Sequence, residues 1–290
     1  MKRLCSAAIL AVTFFLLPLQ ARATELLIPV GQAVGLQLLD DTVTVAAFDE
    51  DCQTGRQAGL KIGDQIERIN NIPVHSTQQV QSLLAESVSP ARIAIRRGGK
   101  FQTLTVPLED PPRLGVYLRQ GISGIGTVTF YDPDSGLFGA LGHGVSGGKG
   151  ELLELRSGGA YALHLTSLIK GRAGDPGQLK GEADGEAQLG TLEKNTPQGV
   201  FGHSTRGWKG EPIPVADFEE IHTGPATIRC TVTQEGTQEY SVEILKIYPE
   251  NRSDGRNLLL KVTDPTLLQE TGGVVQGMGV RYNRDNTGNP

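Results

Sequence analysis

Aromatic residues are scarce in this chain of 290: one Trp, six Tyr and eight Phe, 5% of the whole. A core built from it must rest on aliphatic side chains. Only three cysteines occur, Cys5, Cys52 and Cys230, with no pair at CxxC spacing. Cys5 lies ahead of an apolar run, so at most one bridge, Cys52 to Cys230, is available. That excludes a disulfide framework, and two free, small apolar residues is the preferred reading. The five histidines are scattered and no HExxH occurs, so neither a metal site nor a cofactor is expected. The net charge is −5 and no basic run follows the first three residues, which argues against a nucleic-acid surface. The glycine-rich Gly142–Gly150 stretch fails as a phosphate loop, because Gly150 follows Lys149 where Ser or Thr is needed.

Glycine is abundant instead. Its 38 residues are about twice the usual ~7% share, without a period and with β-branched residues between them. That pattern predicts many turns and short strands. At the N-terminus, Lys2 and Arg3 precede the apolar run Leu4–Leu19, and Ala21-Arg22-Ala23 supplies small residues at cleavage spacing. Residues 1–23 thus read as an export signal with Thr24 as the mature start, the alternative being an uncleaved membrane anchor. The run falls short of the ~20 residues that span a bilayer comfortably.

Residues 26–108 have the pattern of a small α/β unit. Val34–Leu38 and Thr42–Ala47 read as strands. A turn at Gly63-Asp64 leads into another strand that reaches Ile69, and Asn70-Asn71 with Pro73 makes the next turn. Ser76 is a candidate N-cap for a helix with Val80, Leu83 and Leu84 at spacings of three and four. Arg92–Arg97 and Gln102–Val106 close the unit around Gly98-Gly99. The segment AGLKIGDQIERINNIPV resembles the signature of a PDZ domain. The resemblance implies an extended peptide lying between a strand and the Ser76–Glu86 helix. It also implies a glycine-containing loop that offers N–H groups to a peptide carboxylate. Val34, Gly35 and Leu36 are the segment most like it.

Glu109-Asp110-Pro111-Pro112 reads as a linker at residues 109–112, and residues 113–290 as a β-rich second unit. Strands are expected at Gly126–Phe130, Ala160–Leu168, Ala226–Val232, Glu239–Ile247 and Leu258–Val262, with a turn at Asp132–Gly136. His143 stands among glycines in GALGHGVS, where backbone can approach closely and an imidazole can exchange a proton with a substrate. Alone, such a histidine is more often structural. It is accompanied by LTSLIKG (165–171), AGDPG (173–177), NTPQGVFG (195–202) and VTDPTLLQETGGVVQGM (262–278). Together these motifs are similar, in order and spacing, to the peptidase domain of the stage IV sporulation protein B family. These are serine endopeptidases that also carry an export segment and a PDZ domain.

That resemblance implies a mainly β protein, a PDZ domain followed by a chymotrypsin-like β-barrel peptidase domain. By position it makes His143 the general base, Asp264 the acid and Gly277 part of the oxyanion hole. The family's nucleophile falls at position 279, where this chain has Gly279, and glycine has no side chain to attack with. The tail from Gly279 to Pro290 reads as loop, whereas such a barrel needs a further hairpin to close. The expectation is a peptidase domain without its C-terminal strands, from an interruption near residue 279, and a chain inactive as written. The family cleaves a membrane-associated regulator, and itself, in the space between the forespore membranes. Exported, membrane-associated location and protein or peptide partners are implied with it. The competing reading is a non-catalytic PDZ-containing scaffold.

Overall fold

A computed structural model describes residues 25–147, 150–172, 175–248, 257–273, 275–276 and 282–283. The chain is mainly β. The first element already departs from expectation. The two short strands foreseen at Val34–Leu38 and Thr42–Ala47 are one strand, β1 (Leu26–Phe48), and it contributes to three different cores.

The first core uses only the C-terminal part of β1. Its chain continues through α1 (Thr54–Gln57), β2 (Gln65–Ile69), β3 (Ile72–Pro73), α2 (Thr77–Ala85), β4 (Ala91–Arg97) and β5 (Lys100–Val106). Period-two alternation in β4 buries Ala91, Ile93 and Ile95, as a sheet with one wet face requires. The 3–4 spacing in α2 turns Val80 and Leu84 onto the same cluster. As the sequence predicts, Ser76 caps α2 by accepting from the Gln79 N–H at 3.1 Å.

The turn before β2 is held by charge. Asp64, whose side chain is 1% exposed, receives Arg97 Nε and Nη2 at 2.6 Å each. It also receives the Lys61 N–H at 2.8 Å, while Arg97 Nη2 reaches the Gly59 carbonyl at 2.7 Å. The Asp64 partner raises the already high pKa of the guanidinium, against the opposing effect of burial. This fork-to-fork pair ties the Gly59–Asp64 turn to the end of β4.

Contacts of the first unit continue past residue 108 and into the expected linker at residues 109–112. Leu108 and Leu114 both pack on the first core, and Glu109 accepts from Thr54 Oγ1 at 2.8 Å. The chain then enters β6 (Val116–Tyr131), whose first residues pair antiparallel with the end of β1, from Phe48↔Val116 to Val43↔Gln120. The joint between the units lies inside this ribbon. The register shifts between Leu38 and Val43, and Gly121 sits at φ 67°. A Cβ there would lie 1.9 Å from the Leu38 carbonyl oxygen, so only glycine fits the bend.

Beyond the bend the same two strands run on into the second unit, with Leu38↔Ile122 through Ile28↔Tyr131 paired. β7 (Leu137–Ala140), β8 (Ser157–Ile169), β9 (Gly177–Thr196) and β10 (Gly199–Ser204) join them. Pairing passes from β1 to β6, β7, β10, β9 and β8, and β8 pairs again with β1. Val34, Leu36, Leu38, Val128, Phe138, Ala160, Leu192 and Val200 fill the space this ring encloses. The Asp132–Gly136 turn forms as expected. Ser135 Oγ and the Asp134 N–H both bond Asp132, which holds its carboxyl below the usual carboxylate range.

A separate sheet follows β11 (Ile213–Pro214), which pairs with the start of β1. It comprises β12 (Gly224–Thr233), β13 (Gly236–Ile247) and β14 (Leu258–Val262). Its alternating residues Ala226, Ile228, Cys230, Val232, Tyr240, Val242 and Ile244 pack with Leu179 of β9, Ala33 of β1 and Leu267. Leu267 belongs to α3 (Pro265–Thr271). Thr231 pins this sheet to β1, donating to the Gly31 carbonyl at 3.1 Å and accepting from the Ala33 N–H at 3.2 Å. β15 (Val275–Gln276) runs parallel to the start of β9, and β16 (Tyr282–Asn283) pairs with β12. Part of the tail expected to be loop is therefore paired. Among the described residues no helix is long and apolar enough to cross a membrane, and residues 1–24 lie outside them.

Cys52 and Cys230 are buried and free, and burial pushes the Cys230 thiol up to about 12. Peptide mapping after treatment with a thiol reagent at neutral pH is expected to find both unmodified in the native protein and modified in denaturant. Replacing Arg97 by Met leaves the Asp64 carboxylate buried without its counter-charge. The expected cost is on the order of 3 kcal/mol, read as a lowered urea midpoint.

Candidate active site

His143 follows β7 on a tight turn in which Leu141 has φ 72°. The end of β9 and the β9–β10 turn hold this loop. The Gly144 N–H donates to the Pro197 carbonyl at 3.2 Å, and the Val145 N–H to Asn195 Oδ1 at 2.9 Å. The imidazole is exposed, with Nδ1 2.9 Å from the Gly144 carbonyl oxygen. A carbonyl oxygen only accepts, so in the neutral ring Nδ1 carries the proton and Nε2 keeps its lone pair. This is the tautomer a general base needs when the attacking group approaches Nε2.

Asp264 begins α3. Its Oδ1 accepts from the Thr266 N–H at 2.9 Å and the Leu267 N–H at 3.0 Å, with Pro265 at the first helical position. Asp-Pro here is a helix start, because proline has no N–H to lose at that position. Asp264 Oδ2 lies 3.5 Å from the Ser241 N–H. Burial raises the Tyr240 phenol above its ordinary value, with Cys230 and then Asp264 adding to the shift. No hydrogen bond or ion pair joins His143 to Asp264 among the described residues. Among the described residues, the histidine paired with a carboxylate is His203, 2.8 Å from Glu193 across β9 and β10, with both side chains about half exposed. Nothing in the sequence marked that pair, whose members lie on neighbouring strands.

α3 ends at Gly272, whose N–H reaches the Leu268 carbonyl, while the Gly171 N–H donates to the Thr271 carbonyl at 2.8 Å. Thr271 is fully buried, and its hydroxyl donates to the Leu267 carbonyl at 2.7 Å. Thr271-Gly272-Gly273 thus terminates a helix and docks it on the loop between β8 and β9. Gly277 and Gly279 lie outside the described residues.

The peptide-binding assignment at Val34, Gly35 and Leu36 is corrected by the fold. These residues lie mid-strand in β1, paired with Gly126, Ile125 and Gly124 on one side and Ala162, Tyr161 and Ala160 on the other. Both backbone edges are occupied, so no N–H is left for a carboxylate. A glycine turn lies instead at Arg113-Leu114-Gly115-Val116, against the start of α1, where the Gly55 N–H donates to the Leu114 carbonyl at 2.8 Å. Gly115 has φ 64°, and a Cβ there would lie 2.1 Å from the Cys52 carbonyl oxygen. From it, Val116–Gln120 pairs with β1 along one edge and has no strand on the other among the described residues. Gln120 links this edge to α2, accepting from the Thr77 N–H at 3.3 Å and donating to the His75 carbonyl at 2.9 Å. Val116, Leu118 and Leu83 are half-buried against the first core. The signal for it in the sequence is Leu114-Gly115-Val116, shortly after Pro111-Pro112.

A family model described as SpoIVB peptidase S55 matches residues 111–281, and one described as PDZ domain matches residues 54–97. No curated protein and no solved structure matches. The two family matches agree with the resemblance found in the sequence. They make protein or peptide partners the expected class for both units. Since the peptidase model spans more than half of its 290 residues, this chain belongs to the SpoIVB peptidase S55 family of serine peptidases and carries a PDZ domain toward its N-terminus.

Proposed function

We propose that the protein is an exported signalling endopeptidase of the sporulation type in which chemistry is switched off by Gly279. The observation that carries this reading is His143, presented on a clamped loop with Nε2 unprotonated, inside the region matched by the peptidase model. In this reading His143 is the general base. Asp264 is the acid by its position in the family's motif, with Oδ1 capping α3. The Gly277 N–H contributes to an oxyanion hole. A serine at 279 would attack the scissile carbonyl as His143 took its proton, and the acid would stabilise the imidazolium. With Gly279 there is no attacking oxygen, and an oxyanion hole alone supports only residual turnover. The substrate class is a membrane-associated regulatory protein in the forespore intermembrane space, together with the chain itself. Export and membrane association rest on Lys2, Arg3 and the apolar run Leu4–Leu19.

The second reading is a non-catalytic PDZ-containing scaffold. It is favoured by the same glycine and by Asp264, which acts as a helix cap without bonding His143. Here the working surface is the edge of Val116–Gln120 that no strand covers among the described residues. An extended peptide would add to it as a further strand, its carboxylate at the Arg113–Val116 turn and its side chains against Leu118 and Leu83.

Two experiments test these readings. Incubation of the folded protein with a fluorophosphonate probe and with a protein substrate is expected to give neither covalent labelling nor cleavage. A labelled serine would overturn the switched-off state. For the peptide surface, peptides with free C-termini selected on the protein are titrated while its amide resonances are followed. Shifts are expected at Val116–Gln120 and along α2. If instead they cluster elsewhere, the groove assignment fails.

A further inference from the structure

Asn195 is half-buried at the end of β9, and its side-chain amide faces the His143 loop with every polar atom in use. Its Oδ1 accepts from the Val145 N–H at 2.9 Å, and its Nδ2 donates to the carbonyls of Val145 and Leu153, each at 2.8 Å. One donor faces the oxygen and two acceptors face the NH2 group, so a flipped amide would oppose like to like at all three contacts. The two carbonyls belong to opposite sides of a small hairpin closed by the Leu153 N–H to the Val145 carbonyl at 2.9 Å. One side chain therefore fixes both limbs of the segment that follows His143.

Its own anchorage is firm. Asn195 pairs across the sheet with Val200, which is fully buried and pairs with Ala140, three residues before His143. The row Asn195–Val200–Ala140 thus brackets the histidine: Ala140 sets the strand before it and Asn195 the loop after it. Between them lies Gly144, whose N–H is tied to the Pro197 carbonyl and whose carbonyl oxygen takes the proton-bearing Nδ1 of His143.

We propose that Asn195 is a positioning residue for His143: by clamping Val145 and Leu153 it holds the Gly144 carbonyl where it fixes the Nδ1–H tautomer and leaves Nε2 free. Asn195 does not touch the imidazole and acts only through the loop. The proposal rests on His143 being the base of the peptidase reading, but its test is made on the ring in the folded protein and needs no turnover.

Long-range nitrogen–proton spectra of the histidine rings are recorded on the full chain at a pH where His143 is neutral. In the unaltered protein, His143 is expected as the Nδ1–H form. In Asn195→Ala it shifts toward the Nε2–H form, while the His203 ring beside Glu193 keeps its spectrum and reports an intact sheet. Exchange of the Val145 amide is expected to quicken by about tenfold or more with loss of its acceptor. Asn195→Asp keeps that acceptor but turns a carboxylate toward two carbonyls, and should shift the ring as Asn195→Ala does. If Asn195→Ala fails to fold, the unaltered protein still decides. An Nε2–H form of His143 there, or a ring spectrum unchanged in either folded variant, overturns the clamp. Probe labelling of a serine overturns the switched-off peptidase reading and leaves these spectra as they are, so the two failures are distinguishable.

Discussion

The antiparallel pairing of β1 with β6 is the interaction on which everything else in the structure depends. From Phe48↔Val116 at one end to Ile28↔Tyr131 at the other, the two strands form a single ribbon whose register shifts at three places, one of them at Leu39–Thr42 opposite Gly121. One half lends Val43, Val45 and Val116 to the core of the PDZ unit, and the other lends Val34, Leu36, Leu38 and Val128 to the core of the peptidase ring. Neither core closes without its share of the ribbon. The two units are thus joined by two paired backbones. Rotation between them would have to break or distort ladder hydrogen bonds, unlike rotation about a single flexible linker.

Much of the fold was legible because local physics decided it. α2 had a serine cap and three aliphatic residues on one face. β12 and β13 alternate apolar and polar residues, and β14 was bounded in the sequence as it is in the structure. β9 was not legible. Its twenty residues, GQLKGEADGEAQLGTLEKNT, hold four glycines and few apolar side chains. It is a strand because β8 and β10 supply partners along most of its length, and register between distant segments leaves no mark within one of them. The same limit explains the error at Val34–Leu36. A glycine between apolar residues reads alike in a binding loop and in a strand whose neighbour comes close. Here the neighbour is Ala183, whose Cβ would lie 2.4 Å from a Cβ at position 35.

The site was legible in part. His143 stood out through its glycines and company, but its tautomer depends on the Gly144 carbonyl, and the loop around it on Asn195, fifty residues away. Asp264 was visible as a motif. Its work as the cap of α3 was not, because Asp-Pro serves both turns and helix starts. That cap has a further effect. It starts α3, whose far end brings Thr271 against Gly171 on the loop between β8 and β9.

The bend at Gly121 has one more consequence. Leu38 and Ile122 are directly opposite one another, so the chain leaves the peptidase ring and returns to it through adjacent, hydrogen-bonded positions. Seen from the ring, the whole PDZ unit is the tip of a hairpin. Such a tip can be exchanged for a different module, or cut back to a short turn, without moving the strands that receive it. The architecture is that of a socket, with the recognition unit as the replaceable part.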